Sequence, residues 1–147
     1  MYFYEDLVLN KPNYSPSYTV SKQEIIDFAS EWDPQPFHTD EEAASMWPLG
    51  LTASGVHTIA ISVKLSNQIQ QEPSAAVAGL GWNQVKMPNP VKPGDTLQVK
   101  AWICDKRESN SRPDCGIITN QLEVYNQREE LVLSYQIVTL VLKKPAD

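Results

Sequence analysis

The chain has 147 residues, of which 41% are hydrophobic and 20% charged, as in a folded globular protein and unlike a disordered one. Its net charge of −6 argues against a nucleic-acid partner, since that kind of binding requires a basic surface. The opening residues lack the features of a signal peptide, and no apolar run approaches the roughly 18 residues of a membrane span. We therefore expect one cytoplasmic domain over residues 1–147, without a membrane partner.

The first elements are predicted to be two short strands, at Phe3–Leu9 and Tyr18–Val20. A helix follows, because Ser21 and Glu24 have the spacing of a capping box. Pro34 removes a backbone donor and disfavours helical geometry at the residue before it. The helix should therefore end at about Trp32, which leaves Asp33 at its exit.

Two more helices are predicted in the first half. Thr39 and Glu42 form a second possible capping box, which opens a short helix at about Asp40 to Met46. After the breaks at Pro48 and Gly50, a longer helix is expected from Gly55 to Gln70. Its apolar residues, Val56, Ile59, Ala60, Val63 and Leu65, predict a broad apolar surface and a mostly buried helix.

The second half has the character of strands. Four are predicted, at Ala75–Met87, Thr96–Glu108, Ile117–Asn126 and Glu130–Leu142. Hydrophobic and polar residues alternate with a period of two along the second of them. No helix separates the strands, so the sheet should be antiparallel. The expected fold class is α+β, with one long buried helix wrapped by a curved antiparallel sheet.

Asp33 and His38 form the first candidate functional pair, and two prolines, Pro34 and Pro36, stiffen the chain between them. Stiffness matters because acid and base groups must be held near a productive geometry. A carboxylate and a neutral imidazole can together hold a water molecule and move its proton. The same residues also suit an ordinary turn between two helices, and the pattern alone leaves both interpretations open.

Gly55 is the second candidate, because it falls where the long helix begins. Unpaired N–H groups point outward there, at the positive end of the helix dipole. They could polarise a carbonyl oxygen that gains charge during a reaction. The alternative is that Ser54 is an ordinary N-cap and Gly55 only allows close packing. His57, one turn or less inside the helix, is interpreted as structural.

Other residues give weaker signals. Cys104 and Cys115 lack metal-ligand spacing and a nearby histidine, so we expect ordinary thiols and no metal site. No phosphate-binding glycine loop is present. Lys86 and Lys92 could contact an anionic tail, although surface solubility explains them equally well.

Taken together, these residues resemble the MaoC-like dehydratase family, relatives of (R)-specific enoyl-CoA hydratases. The hydratase motif of that family has Asp, two residues, Pro, one residue and His, which is the pattern of Asp33-Pro34-Gln35-Pro36-Phe37-His38. The resemblance covers nearly the whole chain. It extends over Ala53-Ser54-Gly55, Gly79-Leu80-Gly81 and Val91-Lys92-Pro93-Gly94-Asp95.

The resemblance implies a hotdog fold that forms a homodimer, or a dimer of dimers, by joining sheets. It implies reversible addition of water to a trans-2-enoyl thioester of coenzyme A or acyl-carrier protein. No cofactor is expected, since coenzyme A would be part of the substrate. The implied roles are catalysis by Asp33 and His38 and an oxyanion hole at Gly55. The implied substrate contacts are Gln35, Phe37 and Ser54.

Two other functions remain open at this stage. A hotdog acyl-CoA thioesterase would use a similar carboxylate and helix N-terminus but would hydrolyse the thioester. A dimer that binds acyl thioesters without turnover would keep the fold, although the intact Asp33 and His38 pair argues against it.

Overall fold

The computed structural model describes residues 1–147. Its helices are a 3₁₀ helix at Tyr4–Asp6, α1 (Lys22–Trp32), α2 (Pro36–Thr39), α3 (Glu41–Ala44) and α4 (Gly55–Ser66). Its strands are β1 (Asn13–Tyr14), β2 (Tyr18–Thr19), β3 (Ala76–Lys86), β4 (Thr96–Glu108), β5 (Cys115–Tyr125) and β6 (Leu131–Leu142). None of the helices combines the length and the apolar character that a membrane crossing requires.

The strands form one antiparallel sheet in the order β1-β4-β5-β6-β3, and β2 also pairs with β4. The four long strands end within two residues of their predicted bounds. β3 lies at an edge of the sheet, and its pairing with β6 is interrupted by three register shifts. Such irregularities bend and twist a strand. The outer edge of β3 has no partner within the chain.

α4 packs on the curved sheet and forms the centre of the core. Ile61 and Leu65 from α4 belong to the largest hydrophobic cluster, together with Val99 of β4, Leu122 of β5 and Leu133 of β6. The neighbouring strands thus contribute side chains to one face, as the period of two predicts. The α+β hotdog arrangement expected from the sequence is confirmed.

The predicted buried surface of α4 is correct for Leu65, which is 1% exposed, but wrong for Val56, Ala60 and Val63. Val56 and Val63 are 55% and 38% exposed, and Ala60 is exposed as well. The buried residues of the helix are His57, Thr58, Ile61, Ser62 and Leu65. Polar groups are tolerated on the inner face where they find partners: the Ser62 and Tyr135 hydroxyls lie 2.8 Å apart. The helix also ends at Ser66, before the predicted Gln70.

The strand predicted at Phe3–Leu9 is also wrong. The segment contains the 3₁₀ helix instead, and the Asp6 carboxylate accepts the N–H of Phe3 at 3.0 Å. The Tyr4 ring lies where a side chain on Gly116 would project. This contact between Tyr4 and Gly116 joins residues far apart in the sequence and fixes the local structure. The periodicity of a short apolar run cannot reveal such a contact.

The second predicted capping box is displaced by one residue. Asp40, and not Thr39, caps α3, because its carboxylate accepts the N–H groups of Glu42 and Ala43. Thr39 is the last residue of α2, and its hydroxyl donates to the Gln35 carbonyl oxygen. α3 is accordingly shorter than the predicted Asp40–Met46 helix.

Candidate active site

Asp33 lies at the exit of α1, as predicted. Ser21 and Glu24 form the capping box at the start of this helix. In its last turn, the Asp33 N–H donates to the Ala29 carbonyl oxygen at 2.8 Å. The following Pro34 cannot continue the helix. The side chain of Asp33 therefore leaves the helix end with 26% of its surface exposed, open to solvent but close to the core.

Two side chains hold the Asp33 carboxylate. The Ser54 hydroxyl donates to Oδ2 at 2.6 Å, and the Gln35 amide donates to Oδ1 at 2.9 Å. Ser54 first and Gln35 second stabilise the ionised form, with a smaller contribution from His38, and together they lower the pKa of Asp33 against the opposing effect of burial. Asp33 is therefore a fixed carboxylate at neutral pH.

His38 is held by the main chain. Pro36 occupies the first position of α2, where its missing N–H costs nothing. The Nδ1 atom of His38 lies 2.5 Å from the carbonyl oxygen of Thr52. A carbonyl oxygen only accepts, so Nδ1 carries the proton, and in the neutral ring Nε2 is left with a free lone pair. That Nε2 atom faces Asp33 Oδ2 at 3.6 Å.

The N-terminus of α4 meets this pair through Ser54 and Gly55. Ser54 occupies the N-cap position of α4, as one interpretation of the sequence has it, but its fully buried hydroxyl contacts Asp33 and makes no capping hydrogen bond. The Gly55 N–H has no acceptor within the chain. A Cβ on Gly55 would lie 2.5 Å from the Met87 sulfur, so the proposed close packing at the glycine is present too.

A cavity of about 240 Å³ adjoins this helix end, and Gly55, Thr52, Thr58 and Met87 help to line it. The free N–H thus lies beside space that a small group can enter. Phe37 stands next to the pair: its ring centroid is 4.4 Å from that of His38 and 5.6 Å from that of Trp47.

Three predicted site residues, Gln35, His38 and Ser54, therefore lie around Asp33. A fourth, Gly55, follows Ser54 at the start of α4. Two contributors were not foreseen from sequence. Thr52 acts through its main-chain carbonyl, which no side-chain pattern reveals, and Met87 approaches Gly55 from the end of β3.

Comparison with known proteins places this chain in a family. The family model described as MaoC like domain matches residues 6–126. The chain belongs to the MaoC-like family. It is 38% identical over 126 residues to the uncharacterized protein YdeM of Bacillus subtilis, covering 85% of this chain and 88% of that one.

Solved structures agree with the assignment. A MaoC-like dehydratase from Rhodospirillum rubrum matches with a TM-score of 0.91 and 38% identity, over 99% of this chain and 100% of that one. An (R)-hydratase from A. caviae matches with a TM-score of 0.75 and 22% identity, over 96% and 99% of the two chains. At that lower identity the likeness concerns the fold alone.

His57 of this MaoC-like chain lies apart from the Asp33 pair, between α1 and α4. Its ring stacks on Phe28 with centroids 4.4 Å apart, and its Nε2 is 3.9 Å from the Glu24 carboxylate. Its Nδ1 is buried without a hydrogen-bond partner. Burial lowers the pKa of His57, and Glu24 opposes this only in part. These contacts agree with the structural role expected for it.

The remaining candidates of the MaoC-like chain lie away from the Asp33 pair or at its margin. Cys104 and Cys115 are not disulfide-bonded to each other, and burial raises the pKa of the Cys104 thiol. Lys86 and Lys92 are exposed, and neither forms an ion pair. Each is the sequence neighbour of a residue that lines the 240 Å³ cavity.

Proposed function

We propose that this MaoC-like chain catalyses the reversible addition of water to a trans-2-enoyl thioester, and the reverse dehydration of a 3-hydroxyacyl thioester. The observation that carries the proposal is the pairing of Asp33 with a free His38 Nε2 at the N-terminus of α4. The family assignment supports it, as does the likeness to a protein described as a MaoC-like dehydratase.

The two side chains suit different parts of the reaction. The hydrogen bonds that lower the pKa of Asp33 also make its carboxylate a weaker proton acceptor. The neutral imidazole of His38 offers its Nε2 lone pair on the same side. A water molecule that donates one hydrogen to Asp33 is thereby oriented, while His38 removes the other proton as general base. This division was left open by the sequence.

The addition then follows with balanced charges. The water oxygen bonds to the β-carbon of the enoyl group as its proton passes to His38. The carbon–carbon double-bond electrons move toward the thioester, whose oxygen becomes enolate-like. The Gly55 N–H, at the positive end of α4, stabilises that oxygen. The imidazolium returns its proton to the α-carbon, so one water molecule is added and His38 is neutral again.

The substrate needs a carrier, and the surroundings of the site suit an anionic one. Lys86 and Lys92 are the sequence neighbours of Met87 and Val91, which line the cavity beside Gly55, and neither lysine forms an ion pair. They would attract the phosphates of coenzyme A or of the phosphopantetheine on a carrier protein. The protein thus requires no separate cofactor in this proposal.

We also propose that two copies pair along the free edge of β3. This strand exposes large apolar side chains, which include Leu80 at 52%, Val77 at 45% and Val85 at 43%. An unpaired apolar edge strand invites pairing with another chain, and a twofold pairing would continue the sheet across both copies. Light scattering should give a dimer mass, and Leu80→Lys should shift it toward the monomer.

The catalytic proposal is tested with crotonyl-CoA, by following loss of the conjugated enoyl absorbance. We expect Asp33→Asn and His38→Gln each to reduce turnover by about 10²–10⁴, the usual contribution of general acid–base groups. Asp27→Asn, at an exposed aspartate of α1, and His57→Gln, at the other histidine, are the matched controls. Thermal melts check that each variant is folded.

Three outcomes would contradict the proposal. Release of free thiol from a saturated acyl-CoA, with no hydration, would indicate a thioesterase. Binding without any turnover by the wild-type chain would indicate an acyl-thioester-binding dimer. Full hydration activity in folded Asp33→Asn and His38→Gln variants would show that the chemistry lies elsewhere.

A further inference from the structure

One of the three methionines in the chain lies against the proposed oxyanion hole. Met87 follows the end of β3, and its sulfur lies 2.5 Å from the position of a Cβ on Gly55. A carbon–carbon bond is about 1.5 Å long, so the sulfur lies within about 4 Å of the Gly55 Cα, which is bonded to the amide nitrogen. No step of the proposed reaction uses this thioether.

The Met87 side chain is open to small solutes. It is 47% exposed, and it helps to line the cavity of about 240 Å³ beside Gly55. The thioether of methionine is polarisable, and oxidants convert it to the sulfoxide. A peroxide that enters the cavity can therefore reach the sulfur without unfolding of the chain.

The start of α4 offers a free donor to an oxygen atom on this sulfur. The Gly55 N–H has no acceptor within the chain, whereas the N–H groups of Ala53 and Thr58 are bonded to carbonyl oxygens. A thioether accepts hydrogen bonds only weakly, but a sulfoxide is polar, and its negative oxygen suits the positive end of a helix. Oxidation would thus change Met87 from an apolar neighbour of Gly55 into an acceptor for its N–H.

We propose that Met87 is a modification site, at which oxidation by a peroxide reversibly blocks the oxyanion hole. The inference rests on the proposed function. Hydrogen peroxide takes two electrons from the sulfur: its O–O bond breaks, one oxygen bonds to the sulfur, and the other leaves as water with both hydrogens. The sulfoxide oxygen then accepts the Gly55 N–H, so the thioester oxygen of the substrate loses that donor.

Other oxidisable side chains provide internal comparisons. Met46, in the turn after α3, is 86% exposed and does not line the cavity beside Gly55. Cysteine reacts as the thiolate, and burial raises the pKa of Cys104 and of Cys115. Mild peroxide should therefore oxidise the exposed methionines before the thiols, and of these sites Met87 is the one in contact with Gly55.

The first test measures oxidation and turnover together. The wild-type chain, Met87→Leu and Met46→Leu are treated with hydrogen peroxide, and peptide mass spectrometry gives the oxidised fraction at each methionine. Loss of an oxyanion-hole donor lowers the rate by about 10²–10³, so crotonyl-CoA hydration should fall in proportion to the Met87 sulfoxide. Each variant is compared with its own untreated activity. Met46→Leu should lose activity as the wild-type chain does, whereas Met87→Leu should retain it.

Reversal separates the sulfoxide from oxidised thiols. A methionine sulfoxide reductase supplied with dithiothreitol should restore hydration by the oxidised wild-type chain, because this enzyme class reduces the sulfoxide to the thioether. Dithiothreitol alone reduces disulfides and should not restore it. Recovery with dithiothreitol alone would assign the loss to a cysteine and overturn the inference.

Nuclear magnetic resonance observes the Gly55 N–H without any turnover. Gly55 is the one glycine that follows a serine, so isotope labels on the carbonyl carbon of serine and on the nitrogen of glycine select its signal. Peroxide should move this amide proton downfield in the wild-type chain and in Met46→Leu, as a new hydrogen bond does. The signal should stay in place in Met87→Leu.

The outcomes distinguish this inference from the proposed function. A peroxide-dependent shift of the Gly55 signal, in a chain that hydrates no enoyl thioester before treatment, would sink the catalytic proposal and retain the modification site. Full hydration activity with Met87 oxidised, or a Gly55 signal that does not move, would overturn the inference alone. Oxidation of Met46 with Met87 left intact would overturn it too, and so would equal losses of activity in Met87→Leu and the wild-type chain.

Discussion

Ser54 makes the contact with Asp33 that is most open to a direct test. Its side chain is fully buried and its hydroxyl lies 2.6 Å from Asp33 Oδ2. Hydrogen bonds to charged groups contribute about 1.5–3 kcal/mol. Asp33 keeps Gln35 as a donor and is partly exposed to water, so we expect Ser54→Ala to cost near the lower limit, about 1.5 kcal/mol. If the lost orientation is fully expressed in the transition state, turnover falls about tenfold.

The pH dependence of stability gives a second measure of the same contact. Because the pKa of Asp33 is lowered on folding, its ionisation stabilises the folded state above the ordinary value of 3.8, and this contribution is lost as the pH falls through the lowered pKa. Ser54→Ala moves the folded pKa back toward the ordinary value. The difference in unfolding free energy between wild type and variant should therefore be largest near neutral pH and shrink below about pH 4.

Urea denaturation over this pH range and initial rates with crotonyl-CoA measure the two effects. Ser30→Ala is the control, because it removes a hydroxyl that donates to a backbone carbonyl on the exposed side of α1. The reasoning is refuted if Ser54→Ala matches wild type in both measurements, or if the stability difference grows as the pH falls.

Other contacts lead to further expectations. Gly55→Ala places a Cβ against the Met87 sulfur, so activity should fall, and a Met87→Ala change in the same chain should restore part of it if the effect is steric. Tyr135→Phe removes the buried contact with Ser62, and a loss of about 1 kcal/mol in urea unfolding is expected; no loss would show that the contact is neutral. Since the folded pKa of His57 is lowered, stability should decline as the pH falls below about 6.5, and a slope that persists in His57→Leu would point to another group.

Local signals predicted the parts of the fold that depend on neighbouring residues. The capping box at Ser21 and the helix-ending Pro34 gave α1 its observed limits, because both act within a few residues. The four long strands followed from alternation and turns in the same way. The pairing of Asp33 with His38 was also foreseeable, since five residues braced by two prolines leave little freedom.

The predictions that failed depend on contacts between residues far apart in the sequence. α4 has apolar residues on several sides, so periodicity could not tell that Val63 is exposed while Ser62 is buried against Tyr135. The contact between Ser54 and Asp33 joins positions 21 residues apart. The 3₁₀ helix near Tyr4 depends on packing over Gly116. Each of these is decided by tertiary contacts that local propensity does not encode.

The way in which His38 is anchored has a consequence for how this protein can change. Two hydrogen bonds tie its segment to Thr52: the Thr52 N–H donates to the Phe37 carbonyl oxygen at 3.1 Å, and His38 Nδ1 bonds the Thr52 carbonyl oxygen. Residues 39–51 thus form a segment whose two ends are held together by these two hydrogen bonds. Doubling the length of such a loop raises the entropic free-energy cost of closing it by only about 0.6 kcal/mol. Insertions or deletions there can change the wall of the cavity beside Gly55, which Leu49 helps to line, while His38 keeps its position through the bonds to Thr52.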